Sequence, residues 1–152
     1  MSEPQNFANH GKLVPAFHFF VIPVLLLNLV SSIVLLYAAA RHEWGAFPLF
    51  QAIFNLILAV ALIVLAFLAR LFALGVQDRV IRLEERLRMQ QLLPEDLRPR
   101  ISQFTIHQLV ALRFASDAEL PELAGKVLRD NLNSRKAIKQ MIRNWRADHQ
   151  RV

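Results

Sequence analysis

Four polar residues interrupt two long apolar runs: Asn28 and Ser32 in the first, Gln51 and Asn55 in the second. Asn28 and Ser32 are spaced i,i+4, on one face of a helix, and Gln51, Asn55 and Ala59 repeat that spacing. Asn28 lies 13 residues before Arg41, and Asn55 lies 12 residues after Glu43. In an antiparallel pair of helices both reach the same depth, about 18–20 Å from the turn at about 1.5 Å per residue. Ser32 and Gln51 match in the same way. Two polar-and-small faces at one depth read as a helix–helix seam with interhelical hydrogen bonds, each worth about 0.6–2 kcal/mol. A transport or ligand site would ask for an ionisable group at that depth, and two helices alone cannot enclose a pathway.

His18 is the histidine within an apolar run. It lies level with Phe67 and Arg70, at the edge of the second run, where its ring reaches water or headgroups; a proton relay is the sharper and less favoured reading. His10 and His18 have no further ligand at helical spacing and no acidic neighbour, so no metal site is expected. There is no Cys, which excludes thiol chemistry and disulfides. The 4 Gly are never clustered, so phosphate-cradling loops are absent. The carboxylates fall where helix caps and helix ion pairs need them. No catalytic residue and no cofactor is expected, and an enzyme is the least supported reading.

The elements that hold these residues follow from charge. From Leu13 to Ala40, and again from Trp44 to Ala69, there is no Asp, Glu, Lys or Arg. A spanning helix needs about 20 mainly apolar residues to cross about 30 Å of hydrocarbon, and both runs exceed that. Two buried core helices are the bland alternative, but the rest of the chain is too short to cover them on all sides. Ala38 and Ala40 make a pattern suited to signal cleavage, yet the first run is nearly twice the ~7–15 residues of a signal core.

Arg41, His42 and Glu43 leave room only for a tight turn, which forces an antiparallel hairpin, with Tyr37 and Trp44 suited to the interface beside it. Of 18 Lys/Arg and 12 Asp/Glu, only Glu3, Lys12, Arg41 and Glu43 precede residue 70, so the whole +6 net charge sits in the second half. Arg70, Arg79, Arg82, Arg86 and Arg88 follow the second span closely, and positive flanks are retained in the cytoplasm. Both termini are therefore expected on the cytoplasmic side. Pro15 stands near the first span's start and Pro23 further in, where it should bend the helix and leave His18, Phe19 and Phe20 partly irregular.

No Pro separates the second span from the residues after it. Val76, Val80, Leu83 and Leu87 are spaced 4,3,4, a coiled-coil-like stripe too short to assert a dimer. Asp78 with Arg82 and Glu84 with Arg88 are favourable i,i+4 pairs. One helix should thus run on as a stalk, with Gly75 as its one bend. Pro94 ends it. Thr105-x-x-Gln108 and Ser116-x-x-Glu119 are capping-box patterns, and Asn133 or Ser134 can cap a third helix bearing Ala137, Ile138, Met141, Ile142 and Trp145. These helices are expected to fold back onto the Val76–Leu87 stripe or onto the membrane.

The fold class expected is all-α: an integral membrane hairpin, a stalk continuing the second span, and about three short amphipathic helices. The segments are a cytoplasmic N-terminal tail at 1–12, spans at 13–40 and 44–69, a turn at 41–43, a stalk at 70–93 and a basic helical region at 94–152. The basic surface is expected to meet anionic lipid headgroups, at about 1 kcal/mol per close Lys/Arg, before nucleic acid. An unidentified protein partner and a homo-oligomer are both compatible with it.

The stretches Val14–Phe20 (VPAFHFF), Ala69–Arg88 (ARLFALGVQDRVIRLEERLR), Leu93–Ile101 and Leu112–Leu123 resemble a family of short uncharacterised bacterial inner-membrane proteins, whose members are sometimes labelled transporter permeases. The resemblance covers nearly the whole chain. It implies two spans, a bacterial inner-membrane location and no activity or functional residues. One hairpin lacks the spans of a permease core. The function expected is a membrane-anchored adaptor or accessory protein; the alternative is a small transporter or channel component acting as an oligomer.

Overall fold

The computed structural model describes residues 5–11, 13–42 and 44–148. The chain is all-α, with no strand among the described residues; one isolated bridge joins Ala115 and Trp145. It divides into two compact units, one of residues 13–73 and one of residues 1–12 with 74–152. Five α-helices occur in order: α1 (Ile22–Arg41), α2 (Ala46–Leu92), α3 (Ile106–Leu112), α4 (Leu120–Arg129) and α5 (Arg135–Gln140). A π-helical turn at Ala16–Val21 precedes α1, and a 3-10 helix at Arg98–Gln103 precedes α3.

In the first unit, the π-helical turn ends just before Pro23, which occupies the first turn of α1. The helical backbone is continuous from Ala16 to Arg41, so the missing N–H of Pro23 falls where the π-turn passes into α1. The irregularity expected around His18, Phe19 and Phe20 is this π-turn. His18 Nδ1 lies 2.9 Å from the Val14 carbonyl and 3.1 Å from the Val14 amide nitrogen, so the ring closes the start of the helix. α2 begins at Ala46, and Gly45 takes φ +94°, a conformation that L side chains rarely adopt.

α1 and α2 meet along a line of small residues. Ser32, Ala39, Ala52 and Ala59 are the buried positions, flanked by the half-buried Leu25, Leu29, Leu36, Leu56 and Ile63. Their 3,4 spacing keeps one stripe of each helix against the other, and the small side chains let the backbones approach. The large apolar side chains off this stripe point outward: Phe47 is 74% exposed and Phe19 and Phe20 are 68% exposed. Ala59→Leu is therefore expected to cost the hairpin about 1–3 kcal/mol by overpacking, whereas Ile57→Leu, at a 61% exposed position, should be neutral. Thermal unfolding in mild detergent reads the difference, and equal midpoints for the two variants would refute the seam.

In the second unit, α2 continues without interruption through Gly75 to Leu92. Pro94 comes next but one, and Arg98 Nε donates to the Leu93 carbonyl at 2.8 Å, satisfying a backbone group that the end of the helix leaves open. Met89 and Leu93 enter a core with Ile101, Phe104, Leu109, Leu112, Phe114, Leu120, Leu123, Val127, Ile138 and Ile142. Thr105 and Gln108 form the reciprocal capping box of α3. The amide of buried Gln108 also donates to the Leu132 carbonyl at 3.0 Å, tying α3 to the loop before α5. α4 ends with Asn131 at φ 46° and a bond from Leu132 N–H to the Val127 carbonyl at 3.1 Å, a Schellman closure. Ser134 caps α5.

Only half of the second capping box forms. Ser116 Oγ accepts from the Glu119 amide at 3.3 Å, but the Glu119 carboxylate turns away and accepts from the amides of Arg143 and Asn144 at 2.9 and 3.0 Å. A tertiary use outcompetes the local one.

Residues 5–10, within the segment expected as a tail, pack on this second unit. Asn6 Oδ1 accepts from the amides of Ala8 and Asn9, forming a tight turn. The turn presents His10 to Phe114 and Trp145, with ring centroids 5.8 and 5.7 Å away. Gln5 exchanges two hydrogen bonds with the backbone of Asp148, accepting its N–H at 2.8 Å and donating to its carbonyl at 3.5 Å.

Candidate functional site

The polar residues of the hairpin gather on one side of it. Asn28, Ser31, Ser32 and Asn55 line a cleft of about 260 Å³, with Leu35, Leu58 and Leu62 completing the wall. Ser32 is the buried member and donates to the Asn28 carbonyl at 2.8 Å, the usual i−4 bond of a helical serine. Asn55 is half-buried and Asn28 is exposed. No hydrogen bond among the described residues joins the two amides, although they share the cleft. Gln51 stands apart. It is exposed and does not line the cleft, because its neighbour Ala52 takes the buried position. The expected seam thus combines two features: a dry line of small residues, and a polar cleft beside it that Ser32 touches from the seam.

The stalk stripe corrects the expectation more sharply. Val76, Val80, Leu83 and Leu87 are 62, 48, 62 and 52% exposed. The helices of residues 105–146 dock instead on the face carrying Ile81, Glu85, Met89 and Leu93, all buried. The charge on that face is paired. The Arg88 guanidinium donates from Nη1 to Glu85 Oε2 at 3.0 Å, from Nε to Asp117 Oδ1 at 2.8 Å, and from Nη2 to the Ala115 carbonyl at 2.6 Å. Arg146 Nη1 stands 3.6 Å from the other Glu85 oxygen. Burial pushes the Glu85 carboxyl above its ordinary range, and Arg88 and Arg146 pull it back only in part. Arg113, also buried, pairs with Asp148 at 3.1 Å.

Arg88 is therefore a structural ion-pair residue and not part of a lipid-facing row. Of the other membrane-proximal arginines, Arg79 and Arg82 are exposed, and Arg70 and Arg86 are half-buried. A cleft of about 790 Å³ opens beside this cluster, lined by the carboxylates of Glu84, Glu85, Asp117 and Asp148 and the guanidiniums of Arg88, Arg113 and Arg146. Its charges largely cancel within the chain. The i,i+3 spacing of Glu85 and Arg88 is visible in the sequence, but their partners Asp117 and Arg146 are too distant along the chain to be assigned from it.

Among the described residues, no three His, Asp or Glu side chains converge as a metal site. The geometry defines an all-α protein made of an apolar hairpin of two membrane-length helices and a small helical unit with its own core and its own neutralised ion cluster. The chain belongs to the family of unknown function DUF6526, which matches residues 1–152. No curated protein and no solved structure matches it.

Proposed function

We propose that this protein is a two-span protein of a bacterial cytoplasmic membrane that acts as an adaptor, holding its helical unit at the cytoplasmic face for a protein partner and the anionic lipid surface. One observation carries the reading. The most apolar 18-residue windows of the two long helical segments are only 6% and 11% buried within the chain. Core helices of a water-soluble protein bury most of such a surface, and contiguous apolar patches of this size are not left in water. The helical unit, by contrast, closes its own core and balances its own buried charges. The pairing of Gln5 with Asp148 supports putting both ends of the described chain on one side of the membrane. The charge excess after residue 70 supports making that side the cytoplasm. The adaptor reading is non-enzymatic.

The topology is testable because the chain has no cysteine. In intact cells a membrane-impermeant thiol reagent should label His42→Cys. It should label Ala8→Cys and Gln140→Cys only after permeabilisation. Labelling of Gln140→Cys from outside overturns the orientation. Recovery of a stoichiometric foreign protein with the full chain in nanodiscs supports the adaptor role. The polar cleft at Asn28 and Asn55 is the observation that favours a second reading, a small transporter or channel component. That reading requires a defined ring of copies with a wet centre in the same preparation.

A further inference from the structure

The apolar stripe at Val76, Val80, Leu83 and Leu87 is the largest feature of the helical unit that its own fold leaves unused. At 100° per residue its centre lies about 190° around the helix from that of the docking face at Ile81, Glu85, Met89 and Leu93. The residues of the unit that bury one side of α2 therefore leave the opposite side open, with four large aliphatic side chains about half or more exposed. We infer that this stripe pairs with the same stripe of a second copy, in a parallel two-stranded coiled coil.

Three features select that occupant. The 4,3,4 spacing assigns Val76 and Leu83 to d positions and Val80 and Leu87 to a positions. Val80 at a followed by Leu83 at d is the central pairing of the stripe and the arrangement that favours two strands. The flanking charges then choose the direction. Arg79 and Arg86 fall at g, and Glu84 and Gln91 fall at e. In a parallel pair each g residue faces the e residue five positions on in the other copy, so Arg79 meets Glu84 and Arg86 meets Gln91. In an antiparallel pair, g faces g, and Arg79 meets Arg86 in repulsion.

Arg79 is exposed, and Glu84 is exposed at the rim of the cleft beside the Arg88 cluster. Neither Arg79 nor Glu84 has an ion-pair partner among the described residues. The inference rests in part on the membrane reading. A stripe of 12 residues is marginal for dimerisation in dilute solution, whereas two copies in one bilayer share polarity and a high effective concentration.

The test places single cysteines along the helix of the full chain, in native membranes, and oxidises with copper phenanthroline. Val80→Cys, Leu83→Cys and Leu87→Cys should each form same-position disulfide dimers in high yield, and Arg82→Cys, on the flank away from the stripe, should not. Dimer yields as high at Arg82 as at Leu83, or no dimer at any of the four positions, overturn the inference. So does an adduct of these positions with a foreign protein in place of the homodimer. In nanodiscs, Arg79→Glu should weaken the dimer on the order of tenfold through its two symmetric contacts. Adding Glu84→Arg to that variant should restore it, and no restoration refutes the parallel register. Carbonate extraction of the same membranes separates the two readings. An extractable chain that still crosslinks at 80, 83 and 87 sinks the membrane reading alone, while an embedded chain that does not crosslink sinks the dimer alone.

Discussion

Phe114→Ala is expected to destabilise the helical unit by about 3–5 kcal/mol, the range for a buried aromatic truncated where neighbours cannot collapse fully. Phe114 has no exposed surface. Its ring lies 5.0 Å from that of Trp145 and 5.8 Å from that of His10. The Arg113 guanidinium and the Lys139 ammonium stand over it at 4.6 and 4.7 Å. Its carbonyl also accepts from the Arg146 amide at 2.7 Å, so its side chain anchors the stretch that carries the C-terminal segment back across the unit. The loss should therefore be twofold: a lower unfolding midpoint for the unit, and faster amide exchange in residues 7–10, which lose the platform that holds His10. Trp145→Ala, at a half-buried position, should show the same pattern with a smaller shift. If Phe114→Ala lowers stability by less than about 1 kcal/mol, or leaves exchange at residues 7–10 unchanged, the aromatic cluster does not hold the N-terminal segment.

That cluster is not visible in the sequence, and the reason is physical. His10 meets Phe114 and Trp145 across more than a hundred residues, and neither periodicity nor capping reports such pairs. What charge and spacing do report is legible. The charge-free runs mark both long helices, Thr105 and Gln108 mark a cap, and the absence of Pro between Ala69 and Pro94 marks one uninterrupted helix. Faces are harder than elements. On the hairpin, polarity draws attention to Asn28, Gln51 and Asn55, but close approach is decided by volume, so Ala39, Ala52 and Ala59 run the seam. On the stalk, two stripes compete. The one with four aliphatic residues looks like the docking face. The one chosen contains Glu85, whose burial makes sense only once Arg88 and Arg146 are in place around it, with Arg88 itself held by the Ala115 carbonyl. Hydrophobicity alone assigns a buried carboxylate to the outside, and the ion partners that reverse that assignment arrive from distant sequence.

Arg88→Met tests that reversal. Arg88 and Glu85 have side chains 10% and 6% exposed, and removing one partner of a buried pair strands the other charge. The cost expected is about 3–5 kcal/mol at neutral pH, larger than the pair's net worth, because the carboxylate remains desolvated. Asp117, with a side chain 67% exposed, is rehydrated and contributes little to it. The pH dependence identifies the mechanism. The Glu85 carboxyl is held above its ordinary value of 4.5, first by burial, with Arg88 opposing. A raised carboxyl binds its proton more tightly in the folded state. Its stabilisation is complete below the unfolded value and is lost as pH rises through the folded one. Removing Arg88 deletes both the charge and the hydrogen bond that lower the folded value, so the window of loss extends to higher pH. The variant should therefore lie closest to the parent near pH 4.5 and fall away from it toward neutrality. Glu85→Gln added to Arg88→Met should recover most of the neutral-pH loss, since a neutral amide needs no counter-charge. A deficit that is the same at all pH values, and that the double variant fails to relieve, would assign the role of Arg88 to packing of its aliphatic stem and not to the carboxylate beside it.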